Sequence, residues 1–159
     1  MKKNVCWPEM SFWSRIISAV VLLAVACVTG ACQSLGDAVS ISHIEANVPA
    51  DQDFDNFLKR DLEKYFQEVK KRSVVVDYEL LRKGPTQSGT AFPKFYAWVI
   101  VKEDGTVIED GAVKVAAMEK KQFAVYDYLS RSEIESDVEN LYRVFPAAVA
   151  DKIKEKLGK

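Results

Sequence analysis

Three carboxylates on strand-like segments are the residues best suited to acid-base chemistry. Asp77 and Glu79 lie two positions apart, and Asp127 lies in a later segment. Two carboxyl groups that flank one cleft could hydrolyse a glycoside, one as acid and the other as base or nucleophile. Solvent-exposed strand faces explain the same residues without any chemistry. A small envelope hydrolase is therefore the alternative hypothesis, and it requires two of these carboxyls to share a concave pocket.

Other catalytic and metal-binding patterns are incomplete. The single histidine, His43, lies in a polar stretch outside the strand-like segments, so a Ser-His-Asp triad lacks a rigidly held base. Residues 84–90 imitate a phosphate-binding P-loop, but Thr90 replaces the required lysine and a strand-like segment follows. We therefore predict no catalytic group, no cofactor and no metal site, and we expect His43 to be exposed to solvent.

The charge balance disfavours nucleic acid as a partner. The chain carries a formal net charge of −1 at pH 7, so it has no basic excess. A phosphate backbone selects a surface of clustered lysine and arginine. We therefore predict that nucleic acid is not bound.

The first 31 residues have the composition of a secretory signal. Lys2, Lys3 and Arg15 precede an uncharged and mainly apolar run over residues 16–28, which has the length of a signal-peptide h-region. A transmembrane helix needs about 20 mainly apolar residues, and this run is shorter. Because the uncharged stretch continues to residue 36, an uncleaved single-span anchor is the alternative to cleavage.

The apolar run ends in the sequence Val28-Thr29-Gly30-Ala31-Cys32. This segment resembles the bacterial lipobox, which directs the attachment of diacylglycerol to a cysteine and cleavage just before it. Small residues precede Cys32 as in that pattern, although Thr29 stands where leucine is commonest. The resemblance implies a lipoprotein that is cut before Cys32, anchored to a membrane through lipid on that residue, and facing the periplasm. Cys27 is a rival cleavage position inside the run.

Cleavage at this site also decides how the remaining chain is stabilised. The three cysteines are Cys6, Cys27 and Cys32, so processing removes two and uses the third for lipid. A secreted domain without disulfides depends on its hydrophobic core.

Gln33, and not aspartate, follows the lipidated cysteine, which in enteric-type sorting favours the outer membrane over the inner one.

We divide the chain into a signal peptide at residues 1–31, a lipidated tether at residues 32–51 and a single α+β domain at residues 52–159. An apolar stripe with helical spacing runs from Phe54 to Val69 and predicts a long helix. Alternating patterns rich in β-branched and aromatic residues predict four strands. These strands cover residues 73–81, 94–102, 107–119 and 123–129.

Local signals connect and end these elements. Asp104-Gly105 is typical of a type I′ hairpin turn, and Asp110-Gly111 indicates a bulge or bend within the third strand. Ser130 and Glu133 have capping-box spacing, which predicts the first of several short C-terminal helices. The fold class is therefore α+β, with a long N-terminal helix packed on a four-stranded antiparallel meander and short helices after it. This element order resembles cystatin-like and NTF2-like architectures, which host many functions.

The predicted sheet is apolar on both faces, and one helix can cover only one of them. The second face is either covered by the C-terminal helices or left open as an aromatic binding surface. We favour the covering helices, because their own apolar residues must be buried. The candidate partner-binding residues of the open surface are Tyr96, Trp98, Tyr126 and Tyr128, with the two tyrosines of the fourth strand on the face opposite Phe123 and Val125.

These observations predict a membrane-anchored envelope lipoprotein with a non-catalytic binding or structural domain. Its partners would be the membrane, through lipid on Cys32, and a second envelope protein or a small ligand. A purely structural role and immunity against a toxin delivered to the envelope fit the sequence equally well.

Overall fold

The computed structural model describes residues 39 and 41–158, so the predicted signal peptide, Cys27 and Cys32 lie outside the described part. The described chain has the predicted α+β class, with a four-stranded antiparallel sheet and short helices after it. The strands follow in the order β1-β2-β3-β4, and they are β1 (Val75–Leu80), β2 (Lys94–Glu103), β3 (Thr106–Met118) and β4 (Gln122–Ser130). The helices are α1 (residues 41–47), α2 (Asp51–Lys70), α3 (Arg131–Ser136), α4 (Val138–Val144) and α5 (Ala147–Lys156). Within the described residues, no helix is both long and apolar enough to cross a membrane.

Helix α2 packs on one face of the sheet. Its Leu58, Leu62 and Phe66 are completely buried, at the helical spacing that places them on one side. The sheet residues of this core are Val74, Val76, Phe95, Ala97, Val99, Val101, Val113, Val115, Ala117 and Phe123. The apolar residues at alternate positions of β2 and β3 therefore form a continuous core beneath α2.

The three C-terminal helices cover the opposite face, as expected from their apolar residues. Ile134, Leu141 and Ile153, one from each helix, are buried there. The sheet contributes Tyr96, Trp98, Ala112 and Leu129 to this second core. The sheet therefore lies between α2 on one face and the three C-terminal helices on the other, as far as those helices extend along it.

Two bulges alter the predicted alternation of the strands. Lys114 pairs with Asp127 and Val115 with Val125, so Tyr126 is an extra residue in β4. Because the bulge shifts the alternation, Tyr128 shares the α2 face with Phe123 and Val125 instead of opposing them. The expected placement of Tyr126 and Tyr128 on one face is therefore wrong.

The second bulge is at Ile108 and not at Asp110-Gly111 as the sequence suggested, because Val101 pairs with Glu109 and Lys102 with Val107. Gly111 has a different role. A side chain there would overlap the backbone of Leu129 and Ser130, so glycine permits the close approach of β3 and β4.

The turn between β2 and β3 has the geometry that its sequence predicts. Asp104 and Gly105 both have positive φ, at 48° and 80°, as a type I′ turn requires. The capping box at the start of α3 is also present. Ser130 Oγ accepts from Glu133 N, and Glu133 Oε2 accepts from Ser130 N at 2.8 Å.

Part of the expected tether belongs to the folded unit. Residues 41–47 are helical, and Asn47 is buried, with 7% of its surface exposed. Val48 packs against the core beneath α2. Residues 41–48 therefore pack with the domain, although they lie in the segment predicted as the tether.

Candidate functional site

The covered sheet face removes two of the candidate partner-binding residues from the surface. Tyr96 and Trp98 retain only 3% and 2% of their exposure because the C-terminal helices pack over them. The Tyr96 hydroxyl lies 2.6 Å from Thr86 Oγ1, which satisfies its polar end within the fold. Neither side chain is available to a partner in this arrangement, so the open aromatic surface is wrong for both.

The two tyrosines of β4 have separate environments. Tyr126 is 53% exposed, and the Lys94 ammonium lies 5.7 Å from its ring centroid. Tyr128 instead packs edge-on against Phe66, with ring centroids 5.0 Å apart. Of the four aromatic candidates, Tyr126 is therefore the one whose side chain is exposed and accessible to a partner.

Each of the three candidate catalytic carboxylates pairs with a lysine. Asp77 accepts from Lys102 at 2.6 Å, and this hydrogen bond lowers the pKa of the Asp77 carboxyl below its ordinary value. Glu79 accepts from Lys156 at 2.6 Å. Asp127 forms an ion pair with Lys114.

The carboxylates also do not come together. Asp77 lines an open cavity of about 150 Å³ beside Lys59 of α2. Glu79 lines a different cavity, of about 290 Å³, between β1 and the lysines of α5. Asp127 lines neither of these two cavities. The shared pocket required by the hydrolase hypothesis is therefore not formed by these cavities.

Arg131 organises a polar cluster that sequence reasoning missed. Its Nε donates to both carboxylate oxygens of Asp110, at 2.9 and 3.0 Å, and its guanidinium carbon lies 5.2 Å from the Trp98 ring centroid. The Asp110 carboxylate raises the pKa of Arg131 through this hydrogen bond. A cavity of about 230 Å³ lies beside the pair and is also lined by Ser132 and Glu135.

The cluster continues on the α2 side of the sheet. Lys70, at the end of α2, forms an ion pair with Glu109 of β3. Burial, followed by the charge of Glu109, raises the pKa of the Tyr128 phenol above its ordinary value. The same two causes raise the pKa of Tyr65. Both phenols therefore stay protonated near neutral pH. The Lys70–Glu109 ion pair joins the end of α2 to β3.

His43 is half-buried and not solvent-exposed as expected. Its ring stacks on Phe92, with centroids 6.2 Å apart and an interplanar angle of 25°. The contact joins α1 to the loop that leads into β2. Among the residues that the structure describes, no group of three or more His, Cys, Asp or Glu side chains is arranged to hold a metal ion.

The glycine-containing loop at residues 84–90 has no phosphate-binding geometry. Thr86 forms an isolated antiparallel bridge with Lys94, which ties the loop to β2. The next regular element is β2 itself, so no helix N-terminus faces the loop.

The largest apolar exposure on the sheet is at its β2–β3 hairpin end. Val75 and Val107 are 52% and 54% exposed, and both are register partners of Lys102. Ile108, at the bulge, is 37% exposed. We call Val75, Val107 and Ile108 the hairpin patch. Its rim carries the ion pair between Arg72 and Glu103, at 2.6 Å.

Comparison of the chain with protein-family models, curated proteins and solved structures finds no match.

Proposed function

We propose that this protein is a bacterial envelope lipoprotein, anchored through lipid on Cys32, whose mature domain is a non-catalytic binding or structural module. The proposal is carried by the segment Val28-Thr29-Gly30-Ala31-Cys32 at the end of an uncharged apolar run. The basic residues before the run and the polar residues after it agree with a secretory signal that is cleaved. Gln33 supports the outer membrane as the destination.

The mature domain fits this role because its stability does not depend on cysteine. Every cysteine precedes residue 33, whereas both cores are built from side chains after residue 47. A long helix that closes one face of the sheet and a helical layer that closes the other would keep such a domain folded in an oxidising compartment. The lipid would then serve as an attachment and not as a structural element.

The side chains that are exposed on the sheet support a binding role. The carboxylates Asp77, Glu79 and Asp127 are paired with lysines in separate places, which favours a solvated surface over a catalytic centre. The hairpin patch and Tyr126 are among the exposed apolar groups of the sheet, and we propose that a protein partner or ligand contacts them. These residues replace Tyr96 and Trp98 as the proposed contact surface.

A matched pair of cysteine substitutions tests the lipid anchor. In the full chain expressed in a bacterium that processes lipoproteins, Cys32→Ser removes the acceptor, whereas Cys27→Ser preserves it. We expect Cys32→Ser to abolish lipid incorporation and to leave the signal uncleaved at this site. Cys27→Ser should retain both lipid and cleavage.

Two outcomes would contradict the anchor. Lipid incorporation lost with Cys27→Ser and kept with Cys32→Ser would move the anchor to the rival cysteine. An unprocessed, lipid-free parent chain in the membrane fraction would favour an uncleaved single span.

A further inference from the structure

Asn47, at the end of α1, is bound by the turn that joins β3 to β4. Its backbone carbonyl accepts from Lys120 N at 2.9 Å, and its side-chain Oδ1 accepts from Glu119 N at 3.3 Å. Its Nδ2 donates to the carbonyl of His43 at 2.8 Å, one helical turn earlier. Asn47 therefore joins α1 to the β3–β4 turn through its backbone carbonyl and its side-chain amide, and both polar atoms of that amide have a partner.

The receiving turn is held from a second side. Glu119 and Lys120 have positive φ, at 53° and 59°, which is a costly conformation for residues with side chains. Arg60 Nη2 donates to the Lys121 carbonyl at 2.8 Å, and Asp61 Oδ2 accepts from Phe123 N at 2.6 Å. Arg60 and Asp61 of α2 thus hold this part of the chain from one side, and Asn47 of α1 binds it from the other.

The short chain before α1 limits how far the domain can move from the lipid. Ile41 follows Cys32 by nine positions, and even a fully extended chain over nine positions reaches only ~30 Å. Releasing residues 41–48 from the sheet would nearly double this length. The docking of α1 thus determines which end of the domain is held near the anchor.

We propose that Asn47 orients the lipid-anchored domain, with the β3–β4 turn toward the lipid surface and the hairpin patch away from it. This inference rests on the proposed lipid anchor at Cys32. Strand β3 has 13 residues and joins the two ends of the sheet, so the turn and the hairpin patch lie ~40 Å apart. Lys120 and Lys121 are exposed at the end that faces the anionic headgroups. The opposite end presents Val107 and Ile108 to the periplasm.

Energy transfer to the membrane tests this orientation in the processed full-length product. Donor dyes are attached to Lys121→Cys or Val107→Cys, and the protein is reconstituted in phosphatidylethanolamine and phosphatidylglycerol vesicles that contain a headgroup-labelled acceptor. Cleavage before Cys32 removes Cys6 and Cys27, so each introduced cysteine is the free thiol of its mature chain. We expect transfer from position 107 to be at least about twofold weaker than from position 121, because β3 separates the two positions by ~40 Å.

Asn47→Ala, introduced into both labelled chains, tests whether the amide sets the orientation. We expect the difference in transfer between the two positions to be largely lost, because the freed segment lengthens the tether. Asn56→Ala, an exposed asparagine of α2, is the matched control and should preserve the difference. Circular dichroism of each variant establishes that the domain is folded.

The possible failures are distinguishable. Equal transfer from both positions in a chain that carries lipid overturns the orientation alone. A preserved difference in a folded Asn47→Ala protein overturns the role of the amide. A chain without lipid on Cys32, measured by mass spectrometry, overturns the proposed anchor and the orientation together.

Discussion

The two faces of the sheet are covered by helices of different number and length. On the first face, the single helix α2 buries Leu58, Leu62 and Phe66 against alternating β-branched and aromatic residues. On the second face, three short helices together cover the sheet, and polar contacts hold their ends. Examples are the capping box of Ser130, the Arg131–Asp110 pair and the hydrogen bond from Lys114 Nζ to the Val144 carbonyl at 3.1 Å.

Both layers make polar contacts with the sheet, and α2 has its own in the Lys70–Glu109 ion pair and the hydrogen bond from Phe123 N to Asp61, but the helices differ in how far burial alone can hold them. A helix of 20 residues has enough apolar surface to be held by burial, whereas helices of 6, 7 and 10 residues are too short to form without tertiary support. The second layer therefore depends on caps and ion pairs as well as on its core. It also leaves the hairpin end of its face uncovered, which is where the exposed valines lie.

The largest expected effect is the loss of one large core side chain from each face. Phe66→Ala on the α2 side and Trp98→Ala on the other should each lower the free energy of unfolding by about 3–5 kcal/mol, because both side chains are buried. Urea denaturation measures the loss. Tyr126→Ala is the exposed control and should change the free energy of unfolding little. A Trp98→Ala protein as stable as the parent would show that the second layer is not a packed core.

An intermediate effect is expected at the close approach of β3 and β4. Gly111→Ala places a methyl group against the backbone of Leu129 and Ser130, and overpacking of this kind typically costs about 1–3 kcal/mol. Thermal unfolding followed by circular dichroism measures the change. An unchanged melting temperature would contradict the close packing of the strands at this position.

A smaller effect tests the dependence of the second layer on its cap. Ser130→Ala removes the side-chain acceptor for Glu133 N, and the loss of an N-cap costs about 1 kcal/mol. Ser136→Ala removes an exposed serine at the other end of α3 and serves as the matched control. Urea denaturation should show the larger loss for Ser130→Ala. Equal values for both serines would show that α3 needs no capping box.

The pH dependence of the free energy of unfolding tests the same Ser130–Glu133 cap. Hydrogen bonds from the Ser130 hydroxyl and backbone lower the pKa of Glu133 below its ordinary value of 4.5. Because the folded pKa is the lower one, this stabilisation is present above 4.5 and is lost as the pH falls through the folded pKa. Glu133→Gln should therefore be less stable than the parent near neutral pH, with the difference shrinking below 4.5. Urea denaturation at several pH values measures it, and a difference independent of pH would contradict the mechanism.

The features predicted from sequence are those decided by neighbouring residues. Asp104-Gly105 and the Ser130–Glu133 spacing determine a turn and a cap locally, and both have the expected geometry. The apolar stripe that begins at Phe54 falls within α2. Strand segments also follow from local alternation, which explains why the α+β class could be predicted.

The features that sequence reasoning missed depend on partners distant in the chain. The bulge at Tyr126 exists only in relation to β3, and it moves Tyr128 to the α2 face. The pairing of Arg131 with Asp110 and the docking of Asn47 on the β3–β4 turn likewise join residues 21 and more than 70 positions apart. Side-chain alternation alone carries no information about such contacts.

The mass of the protein isolated from the membrane fraction tests the lipid anchor most directly. We expect a processed chain whose first residue is Cys32 and whose mass includes covalent lipid. A chain that begins at an unmodified Met1, or one cut elsewhere without lipid, would contradict it.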